Sequence, residues 1–138
     1  MQQCDYLLRQ IEQLGRVLGK ILADLLGLKE QGKAHQGLVF AVEQFRDELD
    51  LDLGKLISIP EEDFIETLTG LREWNADHLV TFADILLELA EGHAQTGEQE
   101  RARDLYRRVL LLYRYLDQTE AVFSLERAYK KERILKLL

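Results

Sequence analysis

The stretch "LAEGHAQTGEQERARDLYRRVL", residues 89–110, decides the fold. On either side of Thr96-Gly97 it is rich in Leu, Ala, Glu, Arg and Gln, which give up little rotamer freedom in a helix. Glycine at the join allows a tight reversal that other residues resist. Leu86, Leu89 and Ala90 recur at helical spacing before the join, and Ala102, Tyr106 and Val109 after it. Ala90 and Ala102 let two backbones approach where the helices cross, and Tyr106 fills the space beside them. The segment therefore reads as a helical hairpin built to pack on further helices.

Working outward, Asn75 is a plausible N-cap for a helix over 76–95, and a second helix covers 98–115. Asp117 with Glu120 has capping-box spacing and opens a last helix over 118–137. Upstream, Ser58 with Glu61 has the same spacing, and Pro60 suits a first turn where no intrahelical donor is needed. That places a helix over 59–70. In "DLDLGKLISIPEED", residues 50–63, Gly54 marks a break, and Leu51, Leu53, Leu56 and Ile57 form one short helical turn. Leu38, Val42, Phe45 and Leu49 share one face of a helix over 34–49.

The longest helix is expected over 3–28. Cys4, Ile11, Leu18 and Leu25 form one heptad row, and Leu7, Leu14, Ile21 and Leu28 form the other. Beside this seam lies a row of small residues spaced four apart: Gly15, Gly19, Ala23 and Gly27. A mid-helix glycine costs about 1 kcal/mol relative to alanine. Close approach of another helix backbone would offset that cost, from this chain or from a second copy in a homodimer. The whole chain, residues 1–138, thus reads as one all-α domain of about six helices with short joints. No segment alternates apolar and polar residues with period two, so no sheet is expected.

The net charge of −7 is unevenly placed. Residues 1–42 hold five basic and four acidic side chains, residues 43–100 three and sixteen, and residues 101–138 ten and five. The acidic middle would repel a phosphate backbone, which disfavours broad nucleic-acid binding. The basic tail complements that middle or solvates the surface. A single cysteine excludes an internal disulfide framework and a cysteine-based zinc site. No signal peptide is read, and charge interrupts every long apolar run, so a cytoplasmic chain without a membrane span is expected.

The hairpin over 83–116 resembles a tetratricopeptide (TPR) repeat unit, a helix–turn–helix of 34 residues. Leu86, Leu89 and Ala90 stand at the first helix's signature positions, Gly97 at the turn, Ala102 at the small position of the second helix and Tyr106 at its aromatic one. The chain departs from the pattern at His93 (usually aromatic), Val109 (usually alanine) and Arg114 (usually proline). No convincing second copy occurs over 37–70. The resemblance implies an antiparallel, right-handed helical array with the last helix as a cap, and a groove that takes a protein or peptide partner. The run "DYLLRQIEQLGRVLGKIL", residues 5–22, also resembles the start of an uncharacterised bacterial family of helical proteins, through Asp5-Tyr6 and Arg9-Gln10-Ile11-Glu12. That resemblance implies a bacterial cytoplasmic protein and supplies no activity.

The contact residues expected for such a partner are His93, Arg103 and Tyr106, with Asp84, Glu88 and Glu91 on one face of the helix over 76–95. Together with Asp77, those carboxylates read chiefly as a solvated stripe. No catalytic residue, cofactor or metal ligand set is identified. His35, His78 and His93 form no ligand-spaced pair, and Ser58 and Ser124 lack a nucleophile signature. Cys4 is expected to pack against the seam. Tyr113 and Tyr106 share an inward face, with arginines outside. Three functions stay open: a non-enzymatic protein- or peptide-binding module, a structural homodimer through the first helix, and a small-ligand or metal-dependent enzyme.

Overall fold

The computed structural model describes the backbone of residues 2–138 and the side chains from residue 4 onward. The described residues form seven α-helices: α1 (Gln2–Glu30), α2 (Gly37–Leu49), α3 (Leu53–Leu56), α4 (Glu61–Leu71), α5 (Ala76–Gln95), α6 (Gln99–Thr119) and α7 (Leu125–Leu137). A 3₁₀ turn, Ala34–Gln36, leads into α2, and no strand occurs among the described residues.

The α5–α6 hairpin is the structural centre. Gly97 turns the chain with φ at 80°, in the left-handed region where glycine has no Cβ penalty. Ala83, Ala90 and Ala102 are fully buried along the helix pair, with Leu86, Leu105, Val109 and Leu112 around them. Tyr113 and Leu116 extend the buried stripe. Phe82 joins this core to α2 and to the segment before α5, its ring 5.9 Å from Phe45 and 5.4 Å from Trp74.

α1 lies beside α5 and runs in the same direction. Its carbonyl at Ile11 meets His78 at the start of α5, and Lys29 meets Glu91 near the end. Leu14, Leu18, Ile21 and Leu25 are buried, so the heptad seam is used within the chain from Leu14 onward. Its beginning is not. Leu7 is exposed, and Cys4 is exposed rather than packed, because the first turns of α1 project beyond the start of α5.

The small-residue row also differs from expectation. A Cβ at Gly19 or Gly27 would meet nothing within 4 Å, and Ala23 is exposed. Only Gly15 faces a neighbour, and that neighbour is a side chain: a Cβ there would stand 3.3 Å from His78 Nε2. The close backbone approach occurs instead at Gly92, where a Cβ would lie 2.7 Å from the Ala34 carbonyl oxygen. The 3₁₀ turn crosses α5 at that point.

Three helix ends deserve their reasons. Asn75 caps α5 by accepting from the His78 N–H at 2.9 Å, and His78 Nδ1 accepts in return from the Asn75 N–H at 3.1 Å. Histidine thus fills the position usually held by Glu or Gln in a capping box. At α4 the expected box does not form. The Ser58 hydroxyl donates to the Gly54 carbonyl at 2.7 Å, and the N-cap position is Pro60 without a side-chain bond. Glu61, Glu62 and Asp63 in the first turn interact favourably with the helix dipole instead.

The third end is a correction. α6 continues to Thr119 and α7 starts only at Leu125, with Ser124 accepting from the Arg127 N–H at 3.2 Å. Leu116 belongs to α6's buried stripe and nothing breaks the helix before it. Asp117 directs its carboxylate to Arg127 and Lys131, so it does not cap.

Candidate functional site

α7 doubles back from the end of α6 and leaves a groove between itself and α1, floored by α5 and Tyr106. The groove has a volume of about 330 Å³. Leu22 and Leu26 of α1 form one apolar wall, Ile134 and Leu137 of α7 the other, with Leu87 of α5 between them. Helical spacing explains the lining. Leu22 and Leu26 sit one turn apart beside the buried stripe of α1, and Asp84, Leu87, Glu88 and Glu91 follow one face of α5.

The polar side chains are arranged around two cations. Lys29 Nζ lies 2.6 Å from Glu91 Oε2 and 3.5 Å from Glu88 Oε2. Lys130 Nζ lies 2.9 Å from Asp84 Oδ1 and 3.2 Å from Glu126 Oε1. The hydrogen bond to Glu91 holds the Lys29 ammonium above its ordinary pKa. For Lys130, burial is the largest influence and works against the charge, but its bond to Asp84, the Asp84 charge and its bond to Glu126 together outweigh it, and its pKa is also raised. Burial pushes the Glu88 carboxyl up, and the neighbouring Glu91 charge adds to that effect. One lysine therefore serves two carboxylates, and the more buried one is the less well compensated.

Tyr106 is 6% exposed and lines the groove, and its hydroxyl makes no hydrogen bond with any described residue. Burial raises its pKa, with the charges of Glu91 and Arg133 also acting on it. Arg133 stands at the rim, exposed, and forms no ion pair among the described residues. Further along α6, Tyr113 is 1% exposed and its hydroxyl has no partner among the described residues; burial pushes it up to about 12. Neither phenol is prepared to ionise near neutrality.

Four of the six contact residues expected from sequence thus come together: Asp84, Glu88, Glu91 and Tyr106. The carboxylates are half-buried and paired, which replaces the solvated stripe expected for them; Asp77 alone of that set is exposed. His93 and Arg103 lie elsewhere. His93 is buried on another side of α5, its Nδ1 3.3 Å from Glu98 Oε1, in a cleft with Leu38, Val42 and Leu105. Arg103 is exposed and pairs with Glu100 at 3.0 Å. The residues that sequence reading missed are Lys29, Lys130 and Arg133. Their one signal was the basic tail beside an acidic middle, and Lys130–Asp84 is an instance of that complementarity.

Among the described residues no group of three or more His, Cys, Asp and Glu side chains is placed to hold a metal ion. No described helix is long and apolar enough to cross a membrane. Compared with protein-family models, with curated proteins and with solved structures, the chain finds no match.

Proposed function

We propose that this chain is a non-enzymatic helical binding module, TPR-like in its α5–α6 hairpin, that takes a peptide segment of a protein partner in the groove between α1 and α7. One observation carries the reading: apolar walls and the Tyr106 hydroxyl, which has no hydrogen-bond partner among the described residues, face the same open groove. Helical scaffolds commonly receive peptides in grooves of this kind, with apolar anchors and a few oriented polar groups. The hairpin's resemblance to a TPR unit supports the same reading by analogy of fold. A bacterial cytoplasmic setting agrees with the other sequence resemblance.

A labelled peptide library screened against the full chain tests it. Binders are expected, and Leu26→Glu, which puts a charge into the apolar wall, should abolish their binding while circular dichroism stays unchanged. Binders indifferent to Leu26→Glu would place the activity elsewhere.

The second reading is a homodimer through α1. Its support is the exposed apolar surface at Tyr6, Leu7 and Leu8 together with the open row at Gly19, Ala23 and Gly27. Light scattering over a range of concentrations decides it: a monomer throughout removes the dimer, and Gly19→Leu should weaken one that forms.

A further inference from the structure

We infer that the groove recognises a basic side chain, lysine or arginine, lying next to a large apolar side chain of the partner segment, with the cation seated against Glu88. The inference rests on the groove being the binding site proposed above and gives its occupant a chemistry.

Glu88 and Glu91 are one turn apart on α5, and both turn to a single ammonium. Lys29 sits closer to Glu91, at 2.6 Å, than to Glu88, at 3.5 Å. A distance of 3.5 Å lies beyond a good charge-assisted hydrogen bond. The Glu91 side chain is 36% exposed and keeps water, whereas that of Glu88 is 16% exposed. A carboxylate withdrawn from water needs a partner more than one that keeps it. The site therefore carries an unmet demand for positive charge at Glu88 rather than at Glu91.

The Tyr106 side chain is held by α6 and is more than nine-tenths buried, and its hydroxyl faces the groove with no acceptor or donor among the described residues. The hydroxyl itself stays open to solvent, so water serves it until a ligand group takes that place. It lies within reach of the charges of Glu91, Glu88, Lys29 and Arg133. It is thus placed to bond a polar group that arrives beside Glu88. Leu22, Leu26 and Leu87 on one side and Ile134 on the other leave apolar surface for the neighbouring side chain of the ligand.

Arginine fits the acceptor set well, because its planar donors can serve Glu88 and the Tyr106 oxygen together. An acidic segment is the competing case, with Arg133 as its receptor. Arg133 is exposed and its charge is already solvated, so it has less to gain from a partner.

The experiment uses the full chain and three sets of fluorescein-labelled peptides, in which an apolar residue is flanked by arginine or lysine, by glutamate, or by uncharged residues. The basic set should bind at least about tenfold more tightly than the others. Glu88→Gln should lose about tenfold in affinity for the basic set alone, and Tyr106→Phe a smaller factor. Binding of the basic set should also weaken as pH falls through the raised titration of Glu88. Equal binding of all sets, or tight binding unaffected by Glu88→Gln in a variant that melts like the parent, would overturn this assignment and leave the groove as the binding site. Binding by no set, or binding indifferent to Leu26→Glu, would overturn the groove reading itself.

Discussion

α5–α6 and α7 are held in opposite ways. The hairpin joins two helices through side chains that exclude water: Ala83, Leu86 and Val109 are fully buried. α7 turns a charged face inward. Arg127 pairs with Asp117 at 3.2 Å and with Glu120 at 2.9 Å, Lys130 reaches Asp84, and Lys131 bonds Asp117. Ile134 is its single buried apolar side chain, while Leu125, Tyr129 and Leu135 are each more than 60% exposed. Apolar burial scales with area and is not weakened by charge screening, whereas partly exposed ion pairs are individually weak and screened. One wall of the groove is therefore far more easily displaced than its floor.

The sharpest test of that contrast is Phe82→Ala. Removing a fully buried ring in contact with Phe45 and Trp74 should cost about 3–5 kcal/mol in urea unfolding and affect the whole domain. Gly92→Ala comes next. Its methyl would press on the Ala34 backbone, so a loss of about 1–3 kcal/mol is expected, with the shift centred on the 3₁₀ turn.

Arg127→Ala should act locally. Its carboxylate partners are more than a quarter exposed and regain water, so the loss should be about 1–2 kcal/mol. Hydrogen exchange should accelerate over residues 120–138 and stay unchanged in α5 and α6. If α5 and α6 loosen equally, the two regions are one cooperative unit and the contrast fails.

Acid separates the regions by smaller steps. Burial lowers the pKa of His78 from its ordinary 6.5, more than the bond to Ile11 raises it. The neutral ring is favoured in the folded chain, so this contribution is complete above pH 6.5 and is lost as pH falls through the depressed value. Asp117 is held below its ordinary 3.8, chiefly by the bond from Lys131 and then by that from Arg127. Its contribution is present above 3.8 and is lost as pH falls below, through the folded value. Acid titration followed by NMR should loosen the contact between α1 and α5 first and α7 at lower pH. The same order in His78→Gln would show that the imidazole is not responsible for the first step.

Much of the frame could be read directly. α5 begins and ends at the residues that Asn75 and Thr96-Gly97 imply, because caps and turns are local signals. The start of α7 was misplaced because Asp117 and Glu120 have a cap's spacing but spend their carboxylates on α7, a choice set by tertiary contacts. The glycines show the same limit. The spacing of Gly15, Gly19, Ala23 and Gly27 was visible, yet the backbone crossing falls at Gly92, whose partner Ala34 is distant in sequence. For the groove, the stripe Asp84, Glu88 and Glu91 was legible on one helix. Lys29 and Lys130 come from opposite ends of the chain, and no periodicity could reveal that they meet it.

His78 has one further implication. Its Nδ1 is committed to the Asn75 amide, so Nε2 carries the proton and donates to the Ile11 carbonyl at 2.9 Å. Gly15, without a side chain, is what lets the ring reach that oxygen. A single imidazole therefore adds a directional stop to the buried seam of Leu14, Leu18, Ile21 and Leu25 that holds α1 on α5. A slip by one turn, about 5.4 Å, would carry Lys29 away from both glutamates at the far end. The alignment of the groove is thus set in part by a ring that lies outside it.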